Sequence, residues 1–487
     1  MNTTKPVSPV VVKVMWLVLA SLLLAAVVLV PLPDHVLKLE GAELTAQGRV
    51  VLGVLLFCLL LWITEPIPFH IAGFAGMILL AALRADTFVN VVKLGFGNDT
   101  VLFFIGVLAL SAAITKSGLG RRVSMMILRL TGNKTSHIIL GFLIAGALIG
   151  MWITTLAAAA MLMPLARSIA EEEHLEPGKS RFGKSLFIAV AWGALIGGAG
   201  SPAGGGANSL AIGFVRDMLG TEITFAGWML YGVPCMLLLI LPAWWILMAF
   251  FKPEIKSIQR SSEDLRCDYA SLPKMTHNER STMVIFLLTV VLWLVSKPLG
   301  DVLGFKIPTS LPAILGACLF FFPGVTDIRW KDVESDISWS GILLIATGIS
   351  LGMLVYESGA AQWLAMLLLG NIGTLPVLVQ IFSVILIVSI LKLGLSSNTV
   401  TATVVIPIMI AVAGQLGLSP LGIVMPAAMT LNIAFILVTS TPTSVIPYST
   451  GYFSIADMAK SGTVMTLLAA PIMTASIYLV GKLAGIY

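Results

Sequence analysis

The sequence predicts an all-α polytopic membrane protein, with residues 1–487 forming a single membrane domain. Apolar residues make up 58% of the chain and charged residues 11%, whereas soluble proteins carry about 25% charged residues. The mean hydropathy is +1.00, and many apolar runs reach the ~20 residues that cross a bilayer as a helix. No HExxH motif or soluble domain accompanies these runs. We therefore expect about 11 transmembrane helices and two re-entrant hairpins.

The apolar runs give the positions of the predicted elements. The first run ends at Pro31 and Pro33, where a signal peptide would have small residues for cleavage, so we expect a retained helix. Two longer runs, 136–170 and 372–413, carry polar residues midway and are predicted to enter and leave the membrane on one side. The remaining runs are predicted to cross it, over residues 13–31, 48–64, 67–84, 99–116, 183–215, 225–251, 283–303, 308–323, 339–356, 420–450 and 462–485.

The basic residues predict the orientation of the chain. With the N-terminus in the cytoplasm, the inner segments, including the cytoplasmic linker 252–282, hold most of the 29 Lys and Arg residues, as the positive-inside rule requires. Both flanks of run 136–170 are basic, whereas the flanks of run 372–413 are almost free of Lys and Arg. The hairpins are therefore expected to enter from opposite sides, with the C-terminus outside. These loops explain the net charge of +5, which gives no indication of nucleic-acid binding.

Matched residues in the two halves predict an inverted repeat. The first repeat is predicted over 47–251, with the hairpin 136–170 and a broken helix 183–215. The second is predicted over 283–487, with the hairpin 372–413 and a broken helix 420–450. The matched positions are Ser117-Gly118 with Ser358-Gly359, Thr154 with Ser397, Pro164 with Pro407, and Ser201-Pro202 with Thr441-Pro442.

Both broken helices contain residues that interrupt a helix at membrane depth. Half of the residues in segment 197–208 are glycine, and Pro442 lies in the polar segment 439–444. A single break of this kind would indicate a kinked packing helix. Two breaks, each paired with a polar hairpin, favour a binding site. The N-termini of half-helices attract anions, and carbonyl groups in unwound backbone suit Na⁺.

Polar residues at the hairpin tips are costly in a membrane unless they bind something. The second tip carries the triplet Ser397–Thr399, and the first tip carries Thr154 and Thr155. Lys392 precedes the second tip within an apolar arm. It is predicted to supply positive charge near the site, to contact the substrate directly, or to snorkel toward the interface.

The sequence resembles the divalent anion/sodium symporters, a family of membrane carriers for dicarboxylates, citrate and related anions. Residues 62–68 (WITEPIP) are similar to the W-x-T-E-x-I-P segment of that family, and residues 397–401 (SNTVT) to its S-N-T-x-T hairpin motif. Segment 197–208 resembles its G-G-x-x-T-P-x-G-T-P-P-N loop. The resemblance covers nearly the whole chain. It implies an elevator-type homodimer of the ion-transporter superfamily in the cytoplasmic membrane of a bacterium.

In that family, the hairpin tips and the adjacent broken helices bind the substrate carboxylates and Na⁺. This chain departs from the pattern, since Thr155 replaces the first motif asparagine, residues 205–207 (GGA) replace T-P-P, and Ser444 replaces an expected asparagine. With Lys392 added because of its charge, the predicted substrate-binding residues are Thr154, Thr155, Pro202, Asn208, Lys392, Ser397, Asn398, Thr399, Thr441 and Pro442. The predicted Na⁺ ligands are Thr155, Ser201, Gly204, Asn398 and Thr441.

We therefore expect secondary active transport of a small organic di- or tricarboxylate, with Na⁺ symport as the main coupling mode. The alternative is Na⁺-independent exchange of two anions with Lys392 in place of a cation, which the altered first tip favours. A sulfate carrier and an anion channel are minor alternatives. No enzyme activity is expected, and no cofactor apart from Na⁺ as a coupling ion. The expected partners are the anionic substrate, the lipid bilayer and a second copy of the chain.

Overall fold

The computed structural model describes residues 8–39, 41–129, 131–259, 273–369 and 372–486. Within these residues, ten helices are long and apolar enough to cross a membrane. The predicted fold class, an all-α polytopic membrane protein, is therefore confirmed. The predicted linker 252–282 lies partly outside the described residues. The helix that follows it begins at His277 rather than at residue 283, because Thr276 and Glu279 form a capping box.

Helices account for most of the regular structure. A two-residue antiparallel pair, β1 (Lys38–Leu39) and β2 (Ala42–Glu43), adds a short β-ribbon near the N-terminus. The helices of the first half are α1 (Pro9–Leu29), α2 (Asp34–Leu37), α3 (Ala46–Thr64), α4 (Phe69–Ala82), α5 (Phe88–Phe96), α6 (Asp99–Ser117), α7 (Leu119–Leu128), α8 (Thr135–Trp152), α9 (Thr155–Glu172), α10 (Arg181–Gly198), α11 (Gly206–Leu219) and α12 (Phe225–Phe250).

Most helices of the second half are similar in length to their counterparts in the first half. The second half lacks a long helix at the position of α11, where a single short helix follows the second break. Its helices are α13 (His277–Leu303), α14 (Ser310–Leu319), α15 (Trp330–Val333), α16 (Trp339–Glu357), α17 (Ala360–Leu369), α18 (Val377–Gly394), α19 (Asn398–Gln415), α20 (Pro420–Thr430), α21 (Pro442–Tyr448) and α22 (Ile455–Leu483).

Two pairs of helices joined by short turns lie within the runs predicted to be hairpins. α8 and α9 are joined through residues 153–154, and α18 and α19 through residues 395–397. In both pairs the second helix is capped by a side-chain hydroxyl, from Thr154 in the first and Ser397 in the second. Such caps satisfy backbone N–H groups that the first turn of a helix leaves free. Entry of the two hairpins from opposite sides remains a prediction.

The chain is not helical throughout the runs 183–215 and 420–450. In the first, α10 ends at Gly198, a 3-10 turn follows, and α11 begins at Gly206. In the second, α20 already ends at Thr430, although the sequence indicated a break only at 439–444. The early end has a physical reason, because the Leu431 carbonyl and the Asn432 side chain both bond to residues of other segments.

Short helices that the apolar runs did not indicate precede both hairpins. α7 follows Gly118 (φ 83°), and α17 follows Gly359 (φ 79°). Glycine adopts this left-handed conformation without a Cβ clash, so the chain can turn sharply at both places. As a result, the order from α6 to α10 in the first half recurs from α16 to α20 in the second.

Helices α8 and α10 approach each other so closely that their backbones touch. A Cβ atom built on Gly146 would lie 2.8 Å from the backbone nitrogen of Ala194. A Cβ atom on Gly197 would overlap the carbonyl oxygen of Ala147. Small residues at such a contact allow close packing between helices in membranes. This packing holds the first hairpin directly against the first broken helix.

Candidate functional site

A cavity of about 440 Å³ lies where the two tips meet the two helix breaks. It is bounded on one side by the first tip and on another by the second. Both breaks contribute to its lining, the first through Gly204–Ala207 and the second through Asn432 and Thr441–Thr443. The cavity is therefore formed by segments that are far apart in the sequence.

The first tip contacts the second break through hydroxyl groups. The Oγ1 atoms of Thr155 and Thr443 lie 2.9 Å apart, and the Thr441 hydroxyl donates to Thr443 Oγ1 at 3.3 Å. Thr154 caps α9 by accepting a hydrogen bond from the Ala157 N–H at 3.4 Å. The three linked hydroxyls form a neutral polar strip along one wall of the cavity.

A buried lysine, Lys392, lies behind the second tip. The Lys392 ammonium donates to Asn398 Oδ1 at 2.7 Å and to the carbonyl oxygen of Leu431. The side chain is only 2% exposed, so it does not snorkel to the membrane interface. Of the predicted alternatives for Lys392, the structure thus favours those that place it beside the site.

The backbone of the first break is hydrogen-bonded by the side-chain amide of Asn208. Asn208 Nδ2 donates to the carbonyl oxygens of Gly198 and Ser201, both at 2.7 Å. Its Oδ1 accepts a hydrogen bond from Asn432 Nδ2 at 2.8 Å. Asn208 is fully buried. Its side chain therefore donates hydrogen bonds to backbone carbonyl oxygens of the first break and links this break to the second. It does not face the cavity.

The predicted site residues fall into a lining group and a supporting group. Ser201 donates to the Met151 carbonyl and accepts from the Ala203 N–H, so its hydroxyl joins the first break to the end of α8. The supporting group behind the wall is Ser201, Pro202, Asn208 and Lys392. The group that lines the cavity is Thr154, Thr155, Gly204, Ser397, Asn398, Thr399, Thr441 and Pro442.

Sequence reasoning missed several residues of the site. Asn432 and Thr443 line the cavity and hydrogen-bond to predicted site residues. Asn432 is an amide within an apolar run, which is the same signal that identified the second tip. Ser396, which lines the cavity, was also missed, and its Oγ donates to the Glu65 carboxylate outside the lining. This contact joins the turn between α3 and α4 to the second tip.

The electrostatics of the cavity suit an anion. The helices α9, α11 and α19 all begin at residues that line it or at their neighbours. A helix N-terminus has free N–H groups and the positive end of the helix dipole. With the hydroxyls and amides of the wall, these groups can replace the water around carboxylate or sulfate oxygens.

A second cavity of about 640 Å³ adjoins the first. The two share Leu108, Thr154, Leu156 and Ser338 in their linings. The second cavity extends along α9 as far as Arg121 and Ser168. The second cavity thus lies between the site and the side of the molecule on which α7 and the end of α9 lie, the side predicted to be cytoplasmic.

Two solved structures share the fold. The YdaH transporter of Alcanivorax borkumensis, whose structure is described as having an unusual topology, superposes with a TM-score of 0.57 at 16% identity, covering 98% of both chains. MtrF of Neisseria gonorrhoeae, described within a class of antimetabolite efflux pumps, superposes with a TM-score of 0.57 at 15% identity, covering 98% of this chain and 95% of its own. At these identities the likeness concerns the fold.

Sequence comparison identifies the family. The sodium-dependent dicarboxylate transporter SdcS of Staphylococcus saprophyticus is 29% identical, over 96% of this chain and 92% of its own length. SdcS of Staphylococcus aureus strain USA300 is 29% identical, over 90% and 87%. The family model of the sodium:sulfate symporter transmembrane region matches residues 12–486. Because that match spans nearly the whole chain, the resemblance is confirmed, and this protein belongs to the sodium:sulfate symporter family, the divalent anion/sodium symporters.

Proposed function

We propose that this multi-pass membrane protein is a secondary active transporter that carries small organic di- or tricarboxylates together with Na⁺. The convergence of both tips and both breaks on one cavity carries this proposal. Its volume of about 440 Å³ falls in the range of about 300–1,000 Å³ that is typical of small-molecule sites. The names of the SdcS relatives support both the dicarboxylate and the dependence on sodium.

The cavity wall offers the groups that a dianion needs. One carboxylate can be bound at each tip, by the Ser397 hydroxyl and the Asn398 region on one side and by Thr154 on the other. The free N–H groups of the capped helices add donors that require no charged side chain. Lys392 lies directly behind the second tip, where its ammonium donates to Asn398 Oδ1 at 2.7 Å.

Na⁺ is proposed to bind on the side of the first tip. The hydroxyl oxygens of Thr155, Thr441 and Thr443 lie close together there. Asn432 and the unwound backbone at Gly204 line the same cavity. Small cations prefer such oxygen ligands in broken membrane helices. The predicted ligand Ser201 is less suited to this role, because its hydroxyl already bonds to Met151 and Ala203.

We also propose an elevator mechanism in a homodimer with an inverted repeat. The recurrence of the helix order α6–α10 in α16–α20 supports the repeat. The N-terminus is proposed to lie inside and the C-terminus outside the cytoplasmic membrane of a bacterium. In this orientation the second cavity lies on the cytoplasmic side of the site. Cysteine labelling from either side of the membrane, at added residues near each terminus, would test the orientation.

Exchange of two anions without Na⁺ is the second candidate, and the buried Lys392 favours it because a resident ammonium can balance part of the substrate charge. Sulfate is a second candidate substrate, because the family model is described as a sodium:sulfate symporter. A channel is less well supported, since paired binding tips are not required for a conducting pore. An enzyme role is not proposed.

Uptake by the purified protein in proteoliposomes tests these alternatives. Labelled succinate, citrate and sulfate would be supplied with an inward gradient of Na⁺ or, as a control, choline. We expect succinate to accumulate with Na⁺ and to be outcompeted by other dicarboxylates. Uptake that ignores Na⁺ and requires preloaded succinate would instead establish exchange. Accumulation of sulfate alone would contradict the proposed substrate class.

A further inference from the structure

One wall of the site is formed by elements outside the hairpins and the broken helices. The start of α4 contributes Pro68–His70 to the cavity of about 440 Å³, and the start of α16 contributes Ser340 and Gly341. Ser338 lines the same cavity and caps α16 by accepting a hydrogen bond from the Gly341 N–H at 3.3 Å. Because one carboxylate of the substrate is proposed to bind at each tip, this wall is left to contact another part of the substrate.

Close packing between α4 and α16 fixes the position of this wall. Gly73 lies about one turn after His70 on the same face of α4, and a Cβ atom built on it would overlap the Thr347 hydroxyl of α16. Leu344, about one turn before Thr347, lines the cavity. Trp62 Nε1 also donates to the carbonyl oxygen of the first residue of α4 at 3.0 Å. The backbone of His70 is therefore held at the cavity.

His70 is the only titratable side chain among the described residues that line this cavity. It is partly buried, and its ring forms no hydrogen bond or ion pair with the described part of the chain. At least one ring nitrogen carries a proton in both the neutral and the charged imidazole. The Ser340 hydroxyl, on the same wall, is likewise without a partner among the described residues. The wall therefore presents hydrogen-bond donors that are free to bind a substrate.

Free donors make this wall sensitive to the group that a substrate places against it. Succinate has only methylene groups between its carboxylates, so with both carboxylates at the tips it offers the wall no acceptor. A donor that loses its water without gaining a partner costs about 1–3 kcal/mol. A hydroxyl or a third carboxylate on the same carbon chain supplies the acceptor. Sites of this kind discriminate against an analogue that lacks the matching group.

We propose that His70 determines the specificity of the site by donating a hydrogen bond to a hydroxyl or a third carboxylate of the substrate. This inference rests on the proposed transport of carboxylates at the two tips. Ser340 provides a second hydrogen-bonding group on the same wall. The preferred substrates are therefore hydroxylated dicarboxylates and tricarboxylates, and succinate is carried with lower affinity.

L-malate is the sharpest probe, because it carries the two carboxylates of succinate and one added hydroxyl. Uptake of labelled malate and labelled succinate would be measured in proteoliposomes with an inward Na⁺ gradient, at a pH where both anions are fully ionised. In the wild type we expect the KM for malate to be at least about fivefold lower than that for succinate. His70→Leu removes the donor, so its two KM values should agree within about twofold.

Two further variants provide the controls. His70→Gln retains an N–H donor and is expected to keep most of the preference for malate. His137, in the first turn of α8, is exposed and lies outside the linings of both cavities. His137→Leu should therefore leave both KM values unchanged. Citrate, which carries a third carboxylate, should follow malate in each protein.

Failure of this inference differs from failure of the proposed function. Wild-type vesicles that take up neither anion would overturn the proposed function. Succinate uptake with no preference for malate in the wild type would overturn the role of His70 alone. A preference for malate that persists in His70→Leu, or an equal rise of both KM values, would do the same.

If His70→Leu does not fold, chemical modification of the wild type decides. Diethyl pyrocarbonate reacts with imidazole nitrogens, and mass spectrometry identifies the modified residues. We expect saturating malate to slow the modification of His70 more strongly than saturating succinate does, and to leave the modification of His137 unchanged. Equal protection of His70 by the two anions would contradict the proposed contact.

Discussion

The two helix breaks resemble each other in position but differ in how their backbone is satisfied. In the first, the neutral side-chain amide of Asn208 donates hydrogen bonds to two backbone carbonyl oxygens and accepts a hydrogen bond from Asn432. In the second, the charged ammonium of Lys392 bonds to the Leu431 carbonyl and to the tip residue Asn398. The backbone carbonyl groups of an unwound membrane helix thus require a hydrogen-bond donor. The charge of that donor can differ between the two halves of one fold. In the second half, this donor also places a basic group directly behind a hairpin tip.

The largest expected difference between the halves concerns the packing of the hairpins. Gly197→Ala places a methyl group onto the Ala147 carbonyl, and backbone atoms on both sides cannot rotate away. We expect destabilisation by more than about 3 kcal/mol and loss of most folded protein. Gly394 in the second hairpin has no atom within 4 Å of its would-be Cβ, so Gly394→Ala should change stability by less than about 0.5 kcal/mol. Size-exclusion profiles and thermal unfolding in detergent would show the difference, and equal behaviour would contradict the close contact.

Asn398→Ala should have the largest effect on transport among variants that fold. It removes the amide oxygen that accepts from Lys392 at 2.7 Å, and a hydrogen bond to a charged group contributes about 1.5–3 kcal/mol. We therefore expect succinate uptake to fall by about 10- to 150-fold. Asn90→Ala is the matched control, because Asn90 lies on the short helix α5 and its side chain donates to Asp86, just before that helix. Uptake that survives Asn398→Ala would remove the second tip from the site.

Asn208→Ala should affect stability more than the transport of the protein that remains folded. It leaves the Gly198 and Ser201 carbonyls without their donor, and Asn432 without its acceptor. Buried groups left unpaired cost about 1–3 kcal/mol each before relaxation, so we expect a clear fall in the melting temperature. Asn432→Ala removes only the hydrogen bond between Asn432 and Asn208, and it should lower the melting temperature less. The reverse order would show that Asn432, and not Asn208, supports the breaks.

The smallest effect is expected at the first tip. Thr155→Ala removes the hydroxyl that lies 2.9 Å from Thr443 Oγ1, which contributes about 1 kcal/mol. We expect the apparent affinity for Na⁺ to fall by about fivefold, while Thr155→Ser, which keeps the hydroxyl, should stay within about twofold of the wild type. An effect of Thr155→Ala on succinate affinity alone would place Na⁺ elsewhere.

The sequence was most informative where local composition decides the structure. Apolar runs and helix-breaking residues predict the membrane fold, because each backbone polar group in a bilayer must be satisfied nearby. The tip triplet Ser397–Thr399 was found because hydroxyls and an amide are conspicuous in an apolar arm. These signals require no knowledge of which segments meet.

What the sequence did not predict depends on contacts between distant segments. The pairing of Asn208 with Asn432 and that of Thr155 with Thr443 join the two halves of the chain. Whether Lys392 points to the interface or inward is decided by the packing of α20, since a long flexible side chain suits either environment. Asn208 was predicted to line the site, but its bonds place it in the support behind the cavity.

The contact between Ser396 and Glu65 gives the second tip a preferred resting place. Glu65 adopts a left-handed conformation at φ 50° in the turn between α3 and α4, which directs its carboxylate to the tip. Withdrawing the tip from this turn breaks a solvent-exposed hydrogen bond, which contributes about 0.5–1.5 kcal/mol at most. Moving the second tip away from this turn therefore costs that much more free energy than it would without the Glu65 carboxylate.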